Sequence, residues 1–241
     1  MAPIAVDAPA VAPPGVYAGV ANGLAVLVLL TEFAMLRTAL LRAQVRVYAA
    51  QSLLVSVLAV VVAIGRDVPE LYVLAGLSLA LKVIVVPWLV LRMLRTALTL
   101  DPASRSSAGT EIAGSGALGV ASEVLLAVAV AAFGFFATGR FHVTSPALPT
   151  TALGLSVAVI LVAFVLMIVR RDVVSQAIGF FSLENGVSLA SLVVAAGMPL
   201  ILEVAFLFDL LVAVVVFGVL MKVHHQRADS LSTRHITRLR G

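Results

Sequence analysis

Residues 147–169 read ALPTTALGLSVAVILVAFVLMIV, a run without one charged side chain that stops against Arg170 and Arg171. About 20 apolar residues, rising 1.5 Å each, cross the roughly 30 Å hydrocarbon core of a bilayer. In hydrocarbon the backbone N–H and C=O groups must be paired within the segment, so such a run reads as a helix. A membrane β-barrel would show segments of about ten residues alternating polar and apolar. That pattern is absent here.

Working outward, the same kind of run recurs between short polar breaks. Spans are expected at Val16–Leu36, Val47–Ile64, Pro69–Leu91, Ala117–Ala137, Ala147–Val169, Val173–Ala196 and Leu200–Met221. The fold class expected is an all-α, polytopic transmembrane helix bundle of about seven spans. Residues 1–15 read as a flexible lead-in without the basic n-region of a signal peptide. Residues 16–146 form a four-helix N-terminal membrane half, 147–221 a three-helix region, and 222–241 a basic tail. The polar stretch Thr96–Gly116 reads as the longest loop. Most prolines fall at span boundaries, but Pro87 lies inside the third span and should kink it.

Composition agrees with this reading. Of 241 residues, 62% are hydrophobic and 12% charged, against about 45–50% and about 25% in soluble domains. So few charges cannot cover a soluble surface of this size, which excludes an ordinary cytosolic enzyme and a nucleic-acid-binding domain. The chain has no cysteine, so disulfides, thiolate metal sites and cysteine nucleophiles are excluded. Thirteen of the 16 basic residues fall in the breaks and tail that share a side with the C-terminus; Arg66 and Arg140 fall on the other side, and Lys82 within a span. Basic residues collect on the cytoplasmic side. The N-terminus is therefore expected outside and the C-terminus inside.

In lipid, the informative side chains are the charges within spans. Each costs about 2.5–3.5 kcal/mol at the bilayer centre on insertion scales. Lys82, Glu184 and Asp209 sit near mid-span. They must face the bundle interior, pair, or reach water. Burial penalises charge, so such groups can exchange protons near neutral pH, as a proton relay requires. The same groups can instead serve only as glue between helices. Glu203 precedes Asp209 by six residues, about 9 Å along the axis and about 120° around it, nearer the outer end. Glu32 and Glu123 lie toward the inner ends of their spans, where pairing with a nearby arginine at the surface is expected.

Span six also carries a polar stripe. Glu184, Ser188 and Ser191 are spaced i, i+4, i+7 and share a face. Gly179 and Gly186 allow a neighbouring helix to approach closely. Enzyme signatures are missing: there is no His-Glu-x-x-His, Gly-x-Ser-x-Gly or P-loop pattern. The histidines, His142, His224, His225 and His235, lie in loop and tail. No catalytic residue, metal site or cofactor is expected. The tail suits anionic lipid or a peripheral partner.

The segments "IGFFSLENG" at Ile178–Gly186 and "GMPLILE" at Gly197–Glu203, with Asp209 beyond them, carry a resemblance. They resemble component E of the group 4 membrane-bound hydrogenases, of the hydrogenase-4 and formate hydrogenlyase type. That family is similar to the K subunit of respiratory complex I and to the C subunit of multisubunit cation/proton antiporters. The likeness covers about a third of the chain well; Lys82 and Pro87 in "LKVIVVP" also suit the family's N-terminal half. In the K subunit two membrane-embedded glutamates belong to the charged chain linked to proton translocation. Glu184 matches the first. Asp209 matches the second better than Glu203 does, although aspartate departs from the K-subunit pattern.

The resemblance implies a non-catalytic membrane subunit of a group 4 hydrogenase-like oxidoreductase complex, without a redox centre of its own, contributing to proton or cation translocation. Its implied partners are antiporter-like membrane-arm subunits, peripheral redox subunits and the lipid bilayer, with no nucleic acid. Its implied location is a bacterial or archaeal cell membrane. Two other readings are a cation/proton antiporter subunit and a structural scaffold of a membrane arm. The four spans ahead of the matching region argue against the antiporter C subunit, which is a small three-helix protein.

Overall fold

The computed structural model describes residues 15–66, 69–100, 119–139, 148, 150–170, 172–194, 215 and 218. The described elements are helices. Helix α1 spans Gly15–Arg37, α2 Leu41–Arg66, α4 Val120–Thr138, α5 Thr150–Val169 and α6 Val173–Val194. The third is composite: Glu70–Ser78 is α-helical, Leu79–Val85 is π-helical, and Val86–Leu100 returns to α; together these are α3. Among the described residues six helices are long and apolar enough to cross a membrane. The protein is thus an all-α, multi-pass helix bundle. The expected seventh span, 200–221, lies outside the described residues, as do the basic tail and most of the 96–116 loop. Residues 96–100 of that loop are helical, extending α3 past the expected boundary.

Local sequence explains the helix ends. Proline 69 precedes α3, and the Tyr72 N–H donates to its carbonyl at 3.2 Å. Asp172 caps α6, accepting from the Ser175 N–H at 2.7 Å and satisfying one of the first-turn donors. The kink expected at Pro87 takes the form of the π-helical stretch just before it. There the Val86 N–H bonds back five residues to the Leu81 carbonyl. Proline has no N–H to give and crowds the carbonyl four residues earlier, and widening the preceding turn relieves that conflict.

The helices alternate in direction. At one end the Arg170 guanidinium, closing α5, donates to the Leu36 carbonyl at the end of α1. Beside it the Ser175 hydroxyl at the start of α6 donates to Gln44 at the start of α2, at 2.8 Å. At the other end the Thr151 hydroxyl donates to Asn22 at 2.7 Å. Arg37, Arg42, Arg92 and Arg170 belong to the first of these ends by their places on the helices.

Helices α5 and α6 form the interior, with 61% and 67% of their spans buried, while α4 is a rim helix with 22% buried. Glycine sets the closeness of α5 to its neighbours. A Cβ on Gly186 would come within 2.8 Å of Ile160, and one on Gly179 within 2.7 Å of Met167. On the other side, a Cβ on Gly134 of α4 would come within 2.9 Å of Leu161. With no apolar driving force between helices in lipid, such close approach lets dispersion hold them together. The outer faces carry bulky apolar residues such as Leu125, Phe133, Phe136 and Ile168. In water that surface would aggregate; in a bilayer it meets acyl chains.

Candidate functional site

Two apolar clusters fill the bundle, one above the other. One contains Met35, Tyr48, Val86 and Phe181; the other contains Val28, Val55, Ala75 and Leu189. On these four helices polar side chains turn inward between the pairs: Glu32 on α1, Gln51 and Ser52 on α2, Ser78 and Lys82 on α3, and Ser182, Glu184 and Asn185 on α6. All eight are buried. They make a polar layer across the middle of an apolar bundle.

Lys82 and Glu184 form one end of the layer. The lysine is 2% exposed, and its Nζ lies 3.2 Å from Glu184 Oε1. The same ammonium donates to Ser188 Oγ at 3.1 Å. Glu184 and Ser188, one turn apart on α6, therefore both face Lys82, as the stripe implies. The π-helical stretch contains Lys82 near its centre. The third stripe member, Ser191, donates to the Ser188 carbonyl of its own helix at 2.9 Å. Glu203 and Asp209 lie outside the described residues, as do the four histidines. No metal-holding group of His, Cys, Asp or Glu occurs among the described residues.

The other end of the layer corrects an expectation. Glu32 is not paired with arginine at the surface; it is fully buried. Its Oε2 accepts from Gln51 Nε2 at 2.7 Å and lies against Ser182 Oγ. Gln51 is the hub, since its Oε1 also accepts from Ser182 at 2.8 Å and from Asn185 Nδ2 at 3.1 Å. Asn185 donates in turn to Ser52 at 2.9 Å. From there Ser56 donates to the Ser52 carbonyl and reaches Ser78 at 3.3 Å. Ser78 stands one turn before Lys82. Glu123 is likewise buried rather than at the surface, in the first turn of α4, where the helix N-terminus favours negative charge.

The residues missed by sequence reasoning had a signal. Gln44, Gln51 and Ser52 on α2 are spaced i, i+7, i+8, and Ser175, Ser182 and Asn185 on α6 are spaced i, i+7, i+10. Each set marks one helix face. The two faces meet, so buried amides and hydroxyls find each other instead of lipid.

Comparison adds little chemistry. Over 156 residues the chain is 32% identical to uncharacterized protein Rv0085 of Mycobacterium tuberculosis. The match covers 64% of this chain and 66% of that protein, just under two thirds of its length. No family model matches, and no solved structure matches significantly.

Proposed function

We propose that this chain is a non-catalytic membrane subunit of a group 4 hydrogenase-like redox complex, contributing to coupled proton translocation. The observation that carries this reading is the buried Lys82–Glu184 pair at 3.2 Å. An ion pair at mid-depth is costly, and ionisable residues inside membrane bundles mark ion and proton paths. Glu184 is also the residue whose "IGFFSLENG" context resembles the proton-path glutamate of the K subunit. In this reading Lys82 holds the Glu184 charge in place, and its displacement frees the carboxylate to take a proton. Asp209, or Glu203 in its stead, continues the path, and Ser188 and Ser191 line it. Peripheral redox subunits sit on the arginine-rich inner face and antiporter-like subunits beside the bundle.

The test is Glu184→Gln in the intact complex, assayed for proton uptake into inverted membrane vesicles. Uptake per assembled complex should fall at least several-fold, even though the stranded Lys82 charge lowers the amount that assembles. Wild-type uptake by an assembled Glu184→Gln complex overturns the reading. Identifying the co-purified subunits separates it from the antiporter alternative, because a nickel–iron large subunit belongs only to the first.

A further inference from the structure

We propose that Glu32 is a second proton-binding site, one that holds its proton at neutral pH. The hydrogen bonds around it require one proton more than its neighbours possess. Ser182 Oγ lies against Glu32 Oε2 and 2.8 Å from Gln51 Oε1. Both are oxygen–oxygen hydrogen bonds, and each needs a proton between its two oxygens. The serine hydroxyl supplies one and the amide oxygen none, so the second is on the Glu32 carboxyl. The proton of Glu32 then points to Ser182, the proton of Ser182 to Gln51, and the Gln51 amide back to Glu32.

The conclusion does not depend on which way the Gln51 amide is turned. With oxygen and nitrogen exchanged, the amide oxygen would stand 2.7 Å from Glu32 Oε2, in the place of the nitrogen. That too is an oxygen pair, and only Glu32 could supply its proton.

A second observation agrees. Glu32 Oε1 is buried without a hydrogen-bond partner. An ionised oxygen left in that state carries a heavy desolvation cost, whereas the carbonyl oxygen of a neutral acid carries much less. Nor, among the described residues, does a cation stand by to offset a charge. Among the described residues of α2, α4, α5 and α6, no charged or titratable side chain pairs with Glu32. Its partners are Gln51 from α2 and Ser182 from α6. Lys82 is engaged by Glu184, two residues past Ser182 and so about 200° around α6.

This inference stands apart from proton translocation by the complex, and its test separates the two. The probe is infrared difference spectroscopy of the reconstituted protein at neutral pH, wild type minus Glu32→Gln. Expected is one carbonyl band of a protonated carboxylic acid, lost in Glu32→Gln and shifted in Ser182→Ala, which removes the acceptor of its proton. If Glu32→Gln does not fold, Glu32→Asp takes its place, with the band retained at a new frequency. Difference bands of a carboxylate alone, with no acid band, overturn the inference. Loss of the band prediction with normal effects of Glu184→Gln sinks only the second site. A band at Glu32 with wild-type uptake in Glu184→Gln sinks only the translocation reading.

Discussion

Lys82 on α3 and Glu184 on α6 meet at 3.2 Å in the interior of the bundle, each nearly out of reach of solvent. Removing one partner strands the other charge, at a cost of about 3–5 kcal/mol for buried pairs. Removing both leaves no stranded charge. Lys82→Met and Glu184→Gln should therefore each lower stability strongly, and the double variant should lose clearly less than the sum. Unfolding titrations in mixed detergent micelles measure the cycle. Simple additivity would show that the two side chains are not coupled.

Glycine spacing makes a graded prediction. A methyl at Gly186 meets Ile160 Cγ1 at 2.8 Å and the Ile160 backbone nitrogen at 3.1 Å. Neither can swing away, because the side chain is β-branched and the backbone is helical. Gly186→Ala should cost about 1–3 kcal/mol, the usual range for overpacking. At Gly179 the nearest atom is Met167 Cγ at 2.7 Å, close to the base of that side chain, so Gly179→Ala should cost a similar amount. Gly19 and Gly23 have nothing within 4 Å, and alanine there should be neutral or slightly stabilising by helix propensity. Thermal unfolding of the four variants gives the ranking; equal losses at Gly19 and Gly186 would contradict it.

The absence of cysteine makes orientation easy to read. Ala39 and Gly139 are exposed, at opposite ends of the bundle by their places after α1 and α4. In intact cells a membrane-impermeant maleimide should label Gly139→Cys and spare Ala39→Cys until the membrane is opened. The reverse pattern would invert the topology drawn from the arginines.

Trp88 is the sole tryptophan. It is 56% exposed on the outside of α3, and the Arg92 guanidinium stands over its ring at 5.2 Å. Tryptophan with arginine one turn on belongs at the membrane interface. In proteoliposomes its fluorescence should be quenched by brominated lipids, more strongly with bromine near the headgroup than near the chain end. Insensitivity to every brominated lipid would place Trp88 out of contact with acyl chains.

The spans were legible in the sequence because lipid as solvent forces one reading on long uncharged runs such as 151–169. Lys82 and Glu184 were legible for the same reason, each standing alone in an apolar segment. That they would touch was not, since helices so far apart in the chain are brought together by packing that no local pattern encodes. Glu32 misled because it lies close to Arg37, and nearness in sequence suggested a surface pair. Its direction around α1 decided otherwise, by turning it toward Gln51 and Ser182. Pro87 announced an irregularity but not its form, which depends on how the turn before it absorbs the lost N–H.

Helix α3 lies at the edge of the bundle, with Tyr72, Val73, Ile84 and Trp88 open on its outer side. The ammonium of Lys82 is thus separated from the exterior by a single helix, about 10 Å across. A unit charge brought against that outer wall would act on the Lys82 ammonium with roughly 1–2 kcal/mol at an effective dielectric of about 20, and on the Glu184 carboxylate with slightly less and the opposite sign. The two contributions nearly cancel while the pair is intact, so a neighbour that never touches it is felt mainly when one partner gives up its charge.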